Sequence, residues 1–176
     1  MALIELIGDL ALKFGKDIFI KSLEPIFMTY LTSTAAAVRE VGIAKVRQMA
    51  ANFKSEWVVA SFIPKILECY NVDKQGFNYR MACLMSLSSV MPVLQKDQIT
   101  EKIVPTVVAA TTDKVPNVQF CVCRIIKQNK ALFDAGVLNS QIIPKLKDLM
   151  QDGDRDVAYH ATLAFNEWYR RFFNSS

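Results

Sequence analysis

The sequence predicts an all-α protein, a right-handed superhelical solenoid made of stacked helix pairs, and three observations carry that prediction. Four prolines recur in similar apolar phrases at intervals of 39, 41 and 39 residues: Pro25, Pro64, Pro105 and Pro144. A second set recurs at intervals of 41, 39 and 39, each where a following helix is expected to begin: Val38, Tyr79, Val118 and Val157. Apolar residues between them recur at steps of three and four, as on one helix face. A period of about 40 residues containing two helices is typical of α-solenoids.

Residues 1–16 are predicted to form half a repeat. One helix face is apolar, and its members are Leu3, Ile7, Leu10 and Phe14. Gly15 then follows as a helix terminator. The half repeat fits either a fragment or a solenoid opened by a capping helix. A helix lying on a membrane surface is the alternative, but the acidic residues on the polar face disfavour it.

Four full repeats are expected to follow in a single domain, at about 17–54, 55–96, 97–136 and 137–174. Their helix pairs are predicted near 18–31 and 35–53, 57–71 and 77–95, 98–111 and 117–133, and 139–151 and 156–173. In the third repeat Asp113 to Asn117 supply the turn, where Pro116 ends the first helix and Asn117 caps the second. The links between repeats are short, so neighbouring helices are expected to be antiparallel.

Composition excludes a disordered chain and does not favour nucleic-acid binding. Apolar residues make up 52% of the 176 and charged residues 22%. The formal charge of +4 comes from 21 basic and 17 acidic residues that are scattered, whereas a nucleic-acid site needs them clustered. The start of the chain lacks the pattern of a signal peptide, and no apolar run approaches the roughly 20 residues of a transmembrane helix. A cytoplasmic location is expected, with the nucleus as a second one.

The four cysteines predict buried thiols rather than a metal centre or a disulfide framework. Cys121 and Cys123 could be read as a metal half-site. However, residues two apart on a helix point in nearly opposite directions, and no second cluster completes the ligand set. Cys69 and Cys83 also have no evident partner. We therefore expect small buried hydrophobes in a reducing compartment, without metal or cofactor.

Nothing in the sequence predicts catalysis. His160 is the only histidine, and its position beside core residues favours a core or groove-wall role over a general base. No nucleophile elbow, phosphate loop, dinucleotide fingerprint or zinc-protease motif occurs. Asp152, Asp154 and Asp156 resemble the start of a calcium loop, but its central Gly and closing acid are missing. Capping of the following helix is the expected role of these aspartates.

The last residues, FNEWYRRFFNSS, depart from the repeat pattern. The aromatic side chains there can cover the open end of the last repeat, namely Phe165, Trp168 and Phe172. Arg170 and Arg171 would keep its outer face hydrated. Such capping is a general need of solenoids. An aromatic tail that docks a partner or touches a membrane is the alternative.

Several phrases resemble those of a known family. FIPKILECY, NYRMACLMSLSSV, IVPTVVAATTDKVPNVQF and IIPKLKDLMQDGDRDVAY are similar to the last repeats of the HEAT-repeat scaffold (A) subunit of type 2A protein serine/threonine phosphatase. The resemblance extends from about Leu6 to Ala164. It implies a non-catalytic scaffold whose intra-repeat turns hold the phosphatase catalytic subunit. Regulatory subunits would be partners only if further N-terminal repeats existed.

The resemblance also implies which side chains would bind the catalytic subunit. They lie in the turns and at the starts of the second helices: Phe77, Asn78, Arg80, Val115, Pro116, Asn117 and Arg155. Phe77 stands where the family usually has tyrosine, and Val115 is taken as its counterpart in the third repeat. Ala36, the first-repeat counterpart, lacks the aromatic ring. Inward packing of Phe77 is the alternative role.

One family feature is only partly present. An aspartate in the turn and an arginine after the valine commonly pair between neighbouring HEAT repeats. Arg39 and Arg80 fit this pattern, whereas Gln119 and Ala158 take the same place later in the chain. A more compliant C-terminal half is therefore expected. A diverged, free-standing HEAT adaptor that serves another protein assembly is the alternative function.

Overall fold

The computed structural model describes residues 2–71 and 76–173, with side chains as far as Arg170. Within these residues every regular element is helical, so the all-α prediction is confirmed. The chain divides into two compact units, Met1–Leu94 and Gln95–Ser176. The division falls two residues before the boundary predicted between the second and third repeats.

The first unit holds the half repeat and two helix pairs. Helix α1 is Ala2–Phe14. Helices α2 and α3 cover residues 16–31 and 36–53, and helix α4 covers residues 55–70. Helix α5 is Phe77–Val90, extended by a 3-10 turn at Met91–Val93. Helix α3 packs on α1, α2 and α5, while α4 packs on α5. The second helix of each pair therefore lies in the interior.

The second unit holds two further helix pairs. Helix α6 covers residues 96–110 with a distorted turn at Ile103, and helix α7 is Pro116–Asn129. Helix α8 covers residues 135–149, and helix α9 is Arg155–Phe173. The two second helices, α7 and α9, pack on each other, and each also packs on the first helix of its own pair. Together the described parts of the two units contain α1 and four helix pairs.

The periodic prolines are accommodated inside the first helices by a local change of helix type. A proline has no N–H to donate, and its ring clashes with the carbonyl of the residue four before it. In three repeats a π-helical turn of five residues ends two residues before the proline: Phe19–Leu23, Val58–Phe62 and Leu138–Ile142. The wider turn makes room for the ring, and π turns are a known cause of such kinks. The third repeat breaks its helix at Ile103, two residues before Pro105, instead.

The residue immediately before each first helix recurs at intervals of 39, 41 and 39 residues: Gly15, Lys54, Gln95 and Asp134. Gly15 and Lys54 are each the whole link to the preceding helix, whereas the later links are residues 94–95 and 130–134. Gly15 has φ 87°, and Lys54 has φ 65° and ψ −179°. Glycine adopts this region freely, but a side chain makes it strained by about 1–3 kcal/mol. The first helices begin two to four residues earlier than the sequence pattern predicts, at residues 16, 55, 96 and 135.

We predict that Lys54→Gly raises the free energy of unfolding by about 1 kcal/mol, because it relieves backbone strain at the cost of one exposed hydrogen bond from Nζ to the Ala51 carbonyl. Thermal or urea unfolding measures the change. Arg47→Gly is the matched control, since it also removes an exposed basic residue but from the interior of α3, and it should destabilise by about 1 kcal/mol. Equal losses at both positions would contradict the strain at Lys54.

The core of the first unit contains a connected group of aromatic rings contributed by α2, α3 and α4. Centroids of neighbouring rings lie 5.2–6.2 Å apart, mostly edge to face or tilted, in Phe19, Phe27, Phe53, Trp57 and Phe62. Such pairs add to the burial energy of large side chains. Where α1 crosses α3, Gly8 lies against the side chain of Lys45, whose Nζ is 2.5 Å from the Asp9 carboxylate. None of the described helices is long and apolar enough to cross a membrane.

Candidate functional site

Three of the turns inside the repeats share the same hydrogen-bonding pattern. A side-chain oxygen accepts the backbone N–H of the residue two positions later, which tightens the chain just before the second helix. Ser33 Oγ accepts from Ala35 at 3.2 Å, Asp113 Oδ1 from Val115 at 2.9 Å, and Asp152 Oδ1 from Asp154 at 2.8 Å. The corresponding stretch of the second repeat, including Asp73, lies outside the described residues. These bonds fix where each second helix begins.

The helix starts correct two details of the sequence interpretation. Val115, not Asn117, is the N-cap of α7, and Pro116 opens that helix instead of ending the one before it. Proline suits the first helical position because its missing N–H would have no partner there. Phe77 is likewise the first residue of α5. The structural counterpart of Phe77 is therefore Pro116, one residue after the predicted counterpart Val115.

The structure places the predicted binding residues on the first turns of three second helices. Phe77, Asn78 and Arg80 lie on α5 in the first unit, with Asn78 exposed and the other two half-buried. In the second unit Val115, Pro116 and Asn117 surround the start of α7, where only Asn117 is fully exposed, and the exposed Arg155 opens α9. The side chains remain accessible because the helix flanks, not the helix starts, are used in packing. Ala36, which opens α3, is also exposed but presents only a methyl group.

The arginine expected to pair with a neighbouring repeat acts within its own turn. Arg39 Nη1 donates to the carbonyls of Ser33 and Thr34 at 2.8 and 2.7 Å. Gln119, its counterpart in α7, donates in the same way from Nε2 to the Thr111 carbonyl at 3.4 Å. Inter-repeat pairing of Arg39 stays a prediction, because Asp73 in the next turn lies outside the described residues. The arginine position also closes its own turn, and a glutamine can do this with a weaker, neutral hydrogen bond.

An aromatic cluster that the sequence analysis did not single out lies one turn beyond the predicted residues of the second unit. The Phe120 ring stacks on His160 with centroids 5.4 Å apart and planes at 30°. Tyr159 contacts the same imidazole edge-on at 5.4 Å and is 60% exposed. His160 is half-buried, in keeping with the predicted groove-wall role. The spacing of 39 residues between Phe120 and Tyr159 was the signal available in the sequence.

The aspartates of the last turn cap a helix. Asp154 Oδ1 accepts the backbone N–H groups of Asp156 and Val157 at 2.9 and 3.1 Å, as an N-cap side chain does. The expected capping role is thus confirmed for Asp154. A shallow cleft of about 560 Å³ lies beside it and is also lined by Arg155 and Tyr159. Among the described residues no group of His, Cys, Asp or Glu is arranged to hold a metal ion.

A second cleft lies in the first unit, between α2 and α4. It measures about 390 Å³ and includes Glu24, Met28, Lys65 and Tyr79 in its lining. Glu24 is only 1% exposed, and its carboxylate is bound by the Lys65 ammonium and, at 3.1 Å, by Ser61 Oγ. Burial raises the pKa of Tyr79 above its ordinary value, as does a hydrogen bond with Cys69. The Glu24–Lys65 pair ties the first helices of two successive repeats together.

We predict that Lys65→Met lowers the free energy of unfolding by about 1–3 kcal/mol, because it leaves the buried Glu24 carboxylate without its counter-charge; the half-exposed lysine keeps the loss below that of a fully buried pair. Lys145 is the matched control, since it occupies the same place in α8 but lies 3.9 Å from an exposed Asp148 carboxylate. Lys145→Met should change stability by less than about 0.5 kcal/mol. Similar losses in urea unfolding of both variants would refute a structural role for the pair.

The cysteines are free thiols, and three of them are buried. Burial raises the pKa of Cys83 to about 12, of Cys121 to about 11, and of Cys123 to about 12. The thiolate is the reactive form, so these side chains are inert at neutral pH. Cys69 is half-buried at the cleft of the first unit. The prediction of buried thiols is confirmed for Cys83, Cys121 and Cys123.

We predict that a thiol reagent at about pH 8 modifies one cysteine per folded chain rapidly and the other three only on unfolding. Cys69→Ser should abolish the fast phase, whereas Cys83→Ser should leave it unchanged. Ellman titration with and without denaturant measures both phases. Fast reaction of more than one thiol in the folded wild-type chain would show that the buried cysteines become accessible in solution.

The aromatic residues of the last helix form a group on one face of α9. Phe165 contacts Trp168 with centroids 5.2 Å apart, and Lys147 of α8 lies over the Phe165 ring at 5.8 Å from its centroid. Both aromatic residues are half-buried. Glu167 binds Lys130, the residue that follows α7, and the ammonium lowers the pKa of the Glu167 carboxyl. The predicted cap also includes Phe172 and Arg171, whose side chains lie outside the described residues.

Comparison with known proteins bears directly on the family that the sequence resembles. No family model matches the chain. The chain is 29% identical over 128 residues to the A-type regulatory subunit of protein phosphatase PP2A from Saccharomyces cerevisiae. This chain is similar to part of a phosphatase regulatory subunit. The match covers 69% of the chain and 20% of the yeast protein, so the chain corresponds to a minor part of that relative.

A solved structure shows the same fold over nearly the whole chain. The crystal structure of Cex1p superposes with a TM-score of 0.75 at 14% sequence identity, covering 98% of this chain and 32% of that one. At this identity the likeness shows the fold alone. Together the two comparisons confirm the resemblance stated from the sequence and the fold class, a helical-repeat solenoid of the HEAT type.

Proposed function

We propose that this chain is a non-catalytic scaffold that docks the catalytic subunit of a type 2A protein serine/threonine phosphatase on the starts of its second helices. The observation that carries the proposal is the sequence similarity to the yeast PP2A regulatory protein over 69% of the chain. The name of that relative supports a regulatory role rather than an enzymatic one. Free, uncharged thiols support residence in a reducing compartment such as the cytoplasm.

The chemistry of the helix starts supports docking of a protein surface. Phe77 and Pro116 occupy equivalent first positions of α5 and α7. Both are half-buried, so each presents part of an apolar side chain at a helix start. Arg155 opens α9 and is exposed. Aromatic and arginine side chains dominate the binding energy of many protein interfaces. Asn78 and Asn117 next to them can donate and accept hydrogen bonds at a polar rim.

We predict that the chain binds a type 2A phosphatase catalytic subunit. The double variant Phe77→Ala with Val115→Ala should weaken this binding about 30-fold or more, the effect of losing about 2 kcal/mol at a hot spot. Calorimetry or surface plasmon resonance with the purified catalytic subunit measures the affinity. Ile26→Ala is the matched control, because Ile26 is an exposed apolar residue on α2, away from every helix start.

The outcomes separate the proposal from its alternative. Loss of affinity in the double variant but not in Ile26→Ala supports docking on the helix starts. Equal affinity in all three chains places the interface elsewhere. Absence of binding by a wild-type chain with an intact helical melting transition contradicts the scaffold proposal and favours an adaptor for a different assembly.

A further inference from the structure

Two residues of the first unit depart from the repeat pattern, and both line the cleft between α2 and α4. Glu24 precedes a periodic proline, whereas the residues that precede the other three are apolar and buried: Ile63, Val104 and Ile143. Tyr79 stands in a column whose other members are all valines: Val38, Val118 and Val157. Local departures from an otherwise consistent pattern are expected at functional sites. The two exceptions therefore mark this cleft as a candidate binding site.

The cleft has a buried carboxylate with acceptor capacity to spare. Glu24 forms its inner wall, since the side chain is only 2% exposed. Within the described residues the donors to this carboxylate are Ser61 Oγ and the Lys65 ammonium. A carboxylate can accept about four hydrogen bonds, so about two acceptor positions remain. Glu68 is exposed and lines the same cleft, so two carboxylates and one ammonium leave this lining with a net negative charge.

The cleft is long enough to hold part of a peptide. Its volume of about 390 Å³ lies within the range of about 300–1,000 Å³ that is usual for ligand sites. An adjoining hollow of about 290 Å³ shares Met28 and Tyr79 and adds Thr29 and Thr32. From Glu24 to Thr32 the two together follow α2 for about 12 Å. About three or four extended residues cover that distance.

We propose that this cleft binds an arginine side chain of a partner polypeptide, with the guanidinium at Glu24 and the peptide backbone along the adjoining hollow. The negative lining selects a cation. The planar guanidinium presents paired N–H donors to a carboxylate, whereas a lysine would offer only a point charge. The aliphatic stem of the arginine packs on Met28, as long basic side chains do on apolar surfaces. Tyr79 adds an aromatic ring to the lining, which favours a cation in a way that valine cannot.

The test is an NMR titration of the isotope-labelled chain with a capped Ala-Arg-Ala peptide. We expect saturable shifts of the backbone amide signals of Met28, Cys69 and Tyr79, which line the cleft. The same peptide with citrulline in place of arginine is nearly isosteric but uncharged. It should bind at least about tenfold more weakly, because the charge-assisted hydrogen bonds are lost. Glu24→Gln should weaken binding of the arginine peptide to a similar extent.

A second variant and a matched control separate binding from folding. Tyr79→Val restores the residue of the other repeats, so it should weaken binding while thermal melting shows an intact fold. Glu56→Gln is the control, because it also removes one negative charge from α4. The Glu56 side chain is 85% exposed and lies about 13 Å along the helix axis from Lys65. It should leave the affinity for the peptide unchanged.

Three results would overturn the proposal. The first is the absence of saturable shifts in the wild-type chain. The second is equal affinity for the arginine and citrulline peptides, or unchanged affinity in both Glu24→Gln and Tyr79→Val. The third comes from agmatine, a free alkylguanidinium without a peptide backbone. Agmatine binding as tight as that of the arginine peptide would make the cleft a site for a small cation and not for a partner polypeptide.

Discussion

Each helix of this chain can bury its apolar face only against helices that are near it in the sequence. Within each unit that constraint follows from the short links and turns, which place consecutive helices side by side. Packing consumes the helix flanks: in the second unit α7 and α9 lie against each other and against their own first helices. The starts of the second helices take little part in this packing, so their side chains are at least partly accessible to a binding partner. Stability and binding are therefore assigned to different parts of each repeat.

The proline of each repeat shows how one local constraint is solved in two ways. A proline inside a helix requires a wider or a broken turn before it. Three repeats widen the turn into a π helix, and the third breaks its helix at Ile103. The link residues show the same variety, since Gly15 adopts its positive φ without strain whereas Lys54 does so with a side chain. Repeats that are evenly spaced in the sequence therefore differ in local backbone conformation and in backbone strain.

The sequence predicted the helix pairs and their order because period and apolar spacing are properties of the chain itself. It could not predict the π turns, since a proline within a helix is compatible with several distortions. It misassigned Pro116 and Asn117 because proline both ends one helix and opens another, and only the Asp113 hydrogen bond to Val115 decides between these roles. The sequence did not predict the stacking of Phe120 on His160, because this contact depends on how α7 packs on α9.

Hydrogen–deuterium exchange of the chain, alone and bound to a type 2A phosphatase catalytic subunit, measures which part of each repeat contacts that subunit. Docking on the helix starts predicts slower exchange in the complex at residues 76–80, 115–119 and 154–159, with little change in the interiors of α2, α4, α6 and α8. Protection confined to those first helices, with unchanged exchange at the helix starts, would contradict the division between packing flanks and binding ends.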